Sequence, residues 1–223
     1  MEKSRKLADG SLEEDSIRIL TGERANWRNG LTCILPEHFE GKEMDFISLI
    51  TKRRSIRRYR TREIESEKIE ILAEAALRAP SSRGLNHWEF IFVSDKALLQ
   101  EMSISKPHGA SFLKNAALGI VVCANADKSD VWVEDASIAS IYIHLAAVYL
   151  GLGSCWIQIR KRMHDQHKTA GEHIAEVLGI PSGLRVESVI AIGYPDEEKP
   201  QHPKEELQYQ KVHRNRYGSQ LKK

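Results

Sequence analysis

Residues 135–158 read DASIASIYIHLAAVYLGLGSCWIQ. From Ala136 to Ile157 the stretch carries no formal charge, and its length alone would nominate a membrane span. Gly151 and Gly153 interrupt any helix through it, which leaves 136–150. That segment is about 22 Å long at ~1.5 Å per residue, short of the roughly 30 Å hydrocarbon core. The pattern therefore predicts a buried helix over 136–150 that turns sharply at Gly151-Leu152-Gly153 into a strand over Ser154–Ile159. The glycines do not form a dinucleotide fingerprint. They follow a helix rather than a strand, and Trp156 stands where GxGxxG needs its last glycine, so a Rossmann reading loses its support.

On the N-terminal side, Phe46, Ile47, Leu49 and Ile50 make a short helical apolar face. A second helix starts at Ser66, with Ile69, Leu72, Ala73, Ala76 and Leu77 at 3.6-residue spacing, and Pro80 ends it. Trp88 to Val93, Ile120 to Val122 and Val186 to Ile192 are aromatic, β-branched or alternating and predict strands. A helix from about His167 to Leu178 is closed by Gly179 and Pro181. This mixed order predicts an α+β fold with helices packed on a central, mainly antiparallel sheet. Residues 1–43 mix charges and glycines with few apolar positions and predict an extension without its own core, although Trp27, Leu31, Ile34 and Leu35 could dock on a neighbour. The division expected is thus 1–43 as extension and 44–223 as the folded domain. The polar tail after Pro195 is expected to lie across another surface.

With 33 Lys+Arg against 31 Asp+Glu, the net charge of +2 argues against a global polycation for nucleic acid or membrane surfaces. Cys33, Cys123 and Cys155 form no CxxC pair, so neither a disulfide framework nor a zinc or iron–sulfur site is expected. The start MEKSRKLADG has no apolar run behind it, and cytoplasmic residence in a reducing compartment is the expectation. His164, His167 and His173 crowd one region, but not at HExxH spacing, and no metal is expected there. His144 reads as a core or interface histidine, Cys155 as a small buried hydrophobe, and Glu134 and Asp135 as residues favoured by the helix dipole.

Three segments could carry chemistry. The run Lys52 to Arg62 is densely basic. It reads as a solvated face, as a local nucleic-acid patch, or as a phosphate site in which Arg53 and Arg54 supply forked donors and Ser55 a hydroxyl. Ala79 to Trp88, between a helix end and a strand start, is a breaker-rich turn whose small residues admit a ligand to the backbone, with Ser82 and Asn86 as hydrogen-bonding groups. Gly151 to Gln158 ends in a strand that could present backbone N–H groups and Trp156 or Ile157 to a flat ligand.

Together these segments closely resemble the nitroreductase family of flavin enzymes. The resemblance rests on RRSIRRY (53–59), APSSRGLNHWEFIFV (79–93), DASIASIYIHLAAVYLGLGSCWIQ (135–158) and VHRNRYGS (212–219), four motifs in matching order across roughly 44–218. It implies an interlocked homodimer with FMN at the interface. The family's phosphate-binding Arg and Ser fall on Arg53 and Ser55, with Arg54 beside them. Arg57 falls where a cation adjoins flavin N1 and O2 and would stabilise the anionic reduced ring. Pro80, Ser81 and Ser82 match a loop contributed by the partner subunit, and Asn86 stands where many members have Gln. Ile157 and Gln158 match the strand that donates a backbone N–H to N5, and Trp156 replaces a Pro of other branches. The last phosphate-binding cation falls most nearly on Lys204, with Lys199 as rival.

The expected function is hydride transfer from NADH or NADPH through flavin N5 to a nitroaromatic, quinone or similar electrophile, by a ping-pong mechanism in one pocket. The flavin carries the chemistry, so no catalytic side chain in the usual sense is expected. The acidic-aromatic-basic lid of iodotyrosine deiodinases is not found in the sequence. Two alternatives remain at this level: a flavin-binding relative without turnover that serves as sensor or store, and a nucleic-acid-binding module built on the 52–62 run.

Overall fold

The computed structural model describes residues 44–220. The expected extension over 1–43 lies outside the described residues. Among the described residues, five α-helices and four strands follow one another as α1 (Phe46–Lys52), α2 (Ser66–Leu77), β1 (Trp88–Val93), α3 (Lys96–Ser103), β2 (Leu118–Asn125), α4 (Trp132–Tyr149), β3 (Gly153–Gln158), α5 (Ala170–Leu178) and β4 (Leu184–Gly193). The strands form one sheet in the order β1-β2-β4-β3, antiparallel at every pairing. The α+β architecture with a central antiparallel sheet thus stands as expected.

Local chemistry sets the helix ends. Asp45 caps α1 by accepting from the Ser48 N–H at 3.0 Å. Thr169 and Glu172 close a capping box on α5, and Gly179 ends that helix in the left-handed region at φ 66°. α2 stops at Leu77, because Ala79 precedes Pro80 and is biased away from helical geometry. α3 was not anticipated from the sequence. Its Leu99 and Met102 are fully buried, but eight residues make too short a helix for its period to stand out.

Strand alternation divides the sheet between two layers of helices. Ile120, Val122, Ile190 and Ile192 pack with Leu72 and Ala76 of α2 and Ile143 and Ala147 of α4. Val121, Cys123, Val189 and Ala191 face the other way, onto Leu99 and Met102 of α3 and Ile174 of α5. β2 and β4 are covered on both faces, which is why they read as nearly continuous apolar runs. α4 starts four residues earlier than its uncharged core suggests, at Trp132, so Glu134 and Asp135 occupy its first turn.

The segment after α1 completes the sheet at its β3 edge. Ser55 bridges to Ser154 in parallel, and the Ile56 N–H donates to the Ser154 carbonyl at 2.9 Å. Farther on, Tyr59 bridges to Pro195 and the Arg60 N–H donates to the Tyr194 carbonyl at 2.9 Å. Two glycines make room for this approach. A Cβ on Gly153 would lie 2.8 Å from Ile56 Cβ, and one on Gly193 would lie 3.0 Å from the Tyr59 ring.

Gly153→Ala is expected to destabilise the protein by about 1–3 kcal/mol, because overpacking must displace the Ile56 backbone or the strand. Gly183→Ala, where a Cβ meets no atom within 4 Å, is expected to stay within about 0.5 kcal/mol. Urea denaturation midpoints check the pair, and equal midpoints for the two variants would refute the close-approach argument.

Candidate functional site

β3 is an edge strand, and its free side forms the floor of the candidate site. The carbonyls of Ser154 and Gln158 both point to that side, one accepting from the Ile56 N–H and the other from Lys106 Nζ at 2.8 Å. Alternation along a strand then turns the N–H groups of Trp156 and Gln158 outward as well, and turns that of Ile157 toward β4. Of the two side chains the sequence offers to a flat ligand, Trp156 or Ile157, that of Ile157 points inward. Its side chain is buried in the core between the sheet and α3. The Trp156 indole N–H donates to Gln158 Oε1 at 2.9 Å, and Gln158 Nε2 donates to the Arg160 carbonyl at 3.0 Å. The Gln158 side chain is thereby engaged within its own strand, and its main-chain N–H is left facing out.

At the other end of this edge stand the first residues of the basic run. Arg53, the C-cap of α1, is half-buried, as are Arg54 and Ser55. Among the described residues no carboxylate forms an ion pair with Arg53 or Arg54. Two half-buried guanidinium groups beside a hydroxyl are a donor set suited to a phosphate. Lys199 joins them, donating from Nζ to the Ser55 carbonyl at 2.7 Å while lying 3.4 Å from Glu197. Glu197 Oε1 in turn accepts the Arg57 N–H at 2.5 Å and the Arg58 N–H at 3.3 Å. Those backbone hydrogen bonds, that of Arg57 foremost, hold its carboxyl below the usual range.

Of the two rival lysines, Lys199 is therefore the one brought to Ser55. Lys204 opens an exposed 3-10 turn farther along the tail. The guanidinium of Arg57 lies 5.8 Å from the centroid of the Phe112 ring, and Arg62 pairs with Glu65 at 2.6 Å while stacking on Tyr194. The basic run is thus distributed over different surroundings rather than forming one uniform face.

The 79–88 loop is organised elsewhere. Its Ser82 N–H donates to Asp135 Oδ1 at 3.0 Å, and Ser81 and Asn86 exchange hydrogen bonds at 2.8 and 3.0 Å. Arg83, Gly84 and Asn86 all adopt positive φ, which coils the loop tightly over the start of α4. Beneath it the buried His87 places Nε2 3.5 Å from Asp135 Oδ2. Asp135 does more than favour the helix dipole, since it fastens this loop to α4. Sequence reading missed that role, as it missed Glu197 and Lys106, because each depends on a partner more than 50 residues away.

Within one chain the two halves of the site stand apart. Ser154, next to Ser55, shares a 2.7 Å hydrogen bond with His144 of α4, whereas Ser82 is fastened to Asp135. Nine helical residues separate these anchors, about 13 Å along the α4 axis. Burial and the nearby Arg53 charge hold the His144 imidazole neutral, with its pKa down at about 4. Burial likewise pushes the Cys155 thiol up, which argues against a reactive thiolate. The rings of His164 and His173 stack at 4.0 Å and bond to the Ile104 and Glu101 carbonyls, and no group of three or more metal-ligating side chains stands together among the described residues.

The model of the nitroreductase family matches residues 50–105 and 101–194 of this chain. A relative from Archaeoglobus fulgidus, provisionally named NADH dehydrogenase/NAD(P)H nitroreductase, is 41% identical over 157 residues, covering 69% of this chain and 87% of its own length. The solved structure of an FMN-dependent nitroreductase from Clostridium difficile is 52% identical with a TM-score of 0.76, covering 77% of this chain and 99% of that one. Another, from Parabacteroides distasonis and provisionally named NADH dehydrogenase/NAD(P)H nitroreductase, is 34% identical with a TM-score of 0.69, covering 77% of this chain and 98% of that one.

His144 makes stability sensitive to acid. Below pH 6.5 the unfolded chain protonates this imidazole while the folded one does not, so stability is lost as pH falls from about 6.5 toward 4. Over that window its contribution is roughly 3 kcal/mol. Melting temperatures measured across pH 7 to 4 should fall less steeply for His144→Gln than for the native chain, and parallel curves would remove His144 as the cause.

Proposed function

This chain belongs to the nitroreductase family, and on that footing we propose that it is an FMN-dependent oxidoreductase taking hydride from NADH or NADPH. The electrons pass to a nitroaromatic, quinone or similar electrophile that occupies the same pocket in a second half-reaction. The observation that carries this reading is the free edge of β3, with Arg53 and Arg54, which form no ion pair among the described residues, beside Ser55 at one end and an outward Gln158 N–H at the other. Bound FMN supplies the hydride-accepting ring. The protein supplies position and charge, so no side chain need act as nucleophile or general acid.

In this reading Arg53, Arg54, Ser55 and Lys199 hold the phosphate. The Gln158 main-chain N–H would hold the flavin ring, kept in place because the carbonyl of the same residue is tied to Lys106. Arg57 would add positive charge that stabilises the reduced ring. Pro80, Ser81, Ser82 and Asn86 complete the site from a second subunit, which accounts for their distance from Ser55 along α4 within one chain. A homodimer is supported by the apolar residues left exposed on α4, Ile138, Ile141, Tyr142 and Tyr149, and by Phe46 and Ile47 of α1, which are 63% and 65% exposed. Residues 44–223 form the catalytic domain in this proposal, and 1–43 precede it.

Purified protein is expected to be yellow, to release FMN on denaturation, and to bleach when NADH or NADPH is added without oxygen. Arg53→Ala should bind FMN about 10- to 100-fold more weakly, the worth of one charge-assisted hydrogen bond. Flavin that stays oxidised with both reductants would mark a non-turnover relative, and absence of any FMN binding would sink the proposal.

Sedimentation equilibrium should give twice the 25.3 kDa chain mass. Ile141→Glu should shift the protein toward monomer and release flavin with it. A monomer that keeps its flavin would refute the shared site.

A further inference from the structure

Beside the candidate site lies a second, open groove of about 390 Å³. Its walls are Arg57, Arg58, Tyr59 and Thr61 from the segment that follows Ser55, Lys96 from the start of α3, Lys114 and Asn115 from the 3-10 turn before β2, and Asp196. Its volume falls within the range of small-ligand clefts, about 300–1,000 Å³. Four cations gather there around one carboxylate. Among the described residues, none of Arg57, Arg58, Lys96 and Lys114 forms an ion pair with a carboxylate.

One of these cations is fixed by its own side chain and two by their backbone. Lys96 Nζ donates to the Ala116 carbonyl at 2.8 Å. The backbone carrying Arg57 and Arg58 is clamped by Glu197, and the Arg58 carbonyl accepts the Asp196 N–H at 2.9 Å. Tyr59 turns its hydroxyl inward, donating to the Ile56 carbonyl at 2.5 Å, and forms the floor. Four cations around a single carboxylate leave an excess of positive charge that repels itself, and a multivalent anion relieves that repulsion while matching the guanidinium forks.

The remaining groups narrow the ligand further. Thr61 and Asn115 add neutral donors. Asp196 adds an acceptor, which a bare anion does not need but a neighbouring sugar hydroxyl does.

We propose that this groove binds a phosphomonoester carried on a ribose. Two sources share that chemistry, the 2′-phosphate end of NADPH and a free nucleotide that regulates the enzyme. The first source rests on the functional reading above, while the groove itself does not.

The test is calorimetric titration of adenosine 2′-monophosphate and adenosine 5′-monophosphate into full-length holoprotein, with adenosine as the uncharged control. At least one monophosphate is expected to bind saturably and adenosine not. Arg58→Ala and Lys114→Ala should each weaken binding about tenfold, with FMN content and melting temperature unchanged. If the variants also raise KM for NADPH by a similar factor and leave KM for NADH alone, the occupant is the reductant. If both KM values hold while monophosphate binding is lost, the occupant is a free nucleotide. Failure of both monophosphates to bind the native chain at millimolar concentration, or binding that both variants leave intact, overturns the proposal. A native protein that retains no FMN would sink the functional reading instead, and the titration would still report on the groove.

Discussion

The contact on which the site depends is the pairing of residues 55–56 with the first residues of β3. One main-chain hydrogen bond, from Ile56 to Ser154, and one missing methyl group, at Gly153, let a basic segment lie flush against a sheet edge. Everything functional is referred to that line. It sets Arg53, Arg54 and Ser55 at one end of the free edge and keeps the rest of that edge open as far as Gln158. It also carries the chain on from Ser55, so that Arg57 stands between the free edge and the neighbouring groove and Arg58 lines that groove. Glu197 reinforces the arrangement from 140 residues away by accepting the Arg57 N–H.

α4 is the second organising element, and its composition explains its two roles. One side of the helix buries Ala136, Ala139, Ile143 and Ala147 against the sheet and neighbouring helices, while Ile138, Ile141 and Tyr142 remain exposed. A helix apolar all round finds only half its cover within one chain. Its two ends also carry polar anchors of opposite purpose. Asp135 fastens the Ser82 loop, and His144 supports Ser154 beneath the basic segment. The spacing between the two halves of the site is therefore a property of helix length.

Much of the architecture was readable because its signals are local and periodic. Strand Trp88–Val93, helix Ser66–Leu77 and the helix-to-strand turn at Gly151 were expected at or within a few residues of where they stand. α3 escaped because two buried apolar residues in eight make no clear period. The site was legible in unequal parts. Arg53, Arg54 and Ser55 lie together in sequence and in space, whereas Lys204 was placed ahead of Lys199 because a tail without secondary structure offers no register. The sequence leaves Trp156 or Ile157 as the side chain that meets a ligand, and strand alternation, fixed only by the partner to which β3 pairs, turns Ile157 inward.

The sequence by itself determined the element types other than α3, the antiparallel α+β class, the absence of a dinucleotide fingerprint and the family resemblance carried by four motifs. Those depend on short-range spacing, turn chemistry and residue type. Only the tertiary structure decided which N–H groups of β3 point outward, which tail lysine meets Ser55, and that Lys96, Lys114 and Asp196 join Arg57 and Arg58 around one groove. Those facts depend on which distant strand, helix or turn packs beside which, and hydrogen-bond direction and charge clustering come into being only when that packing is complete.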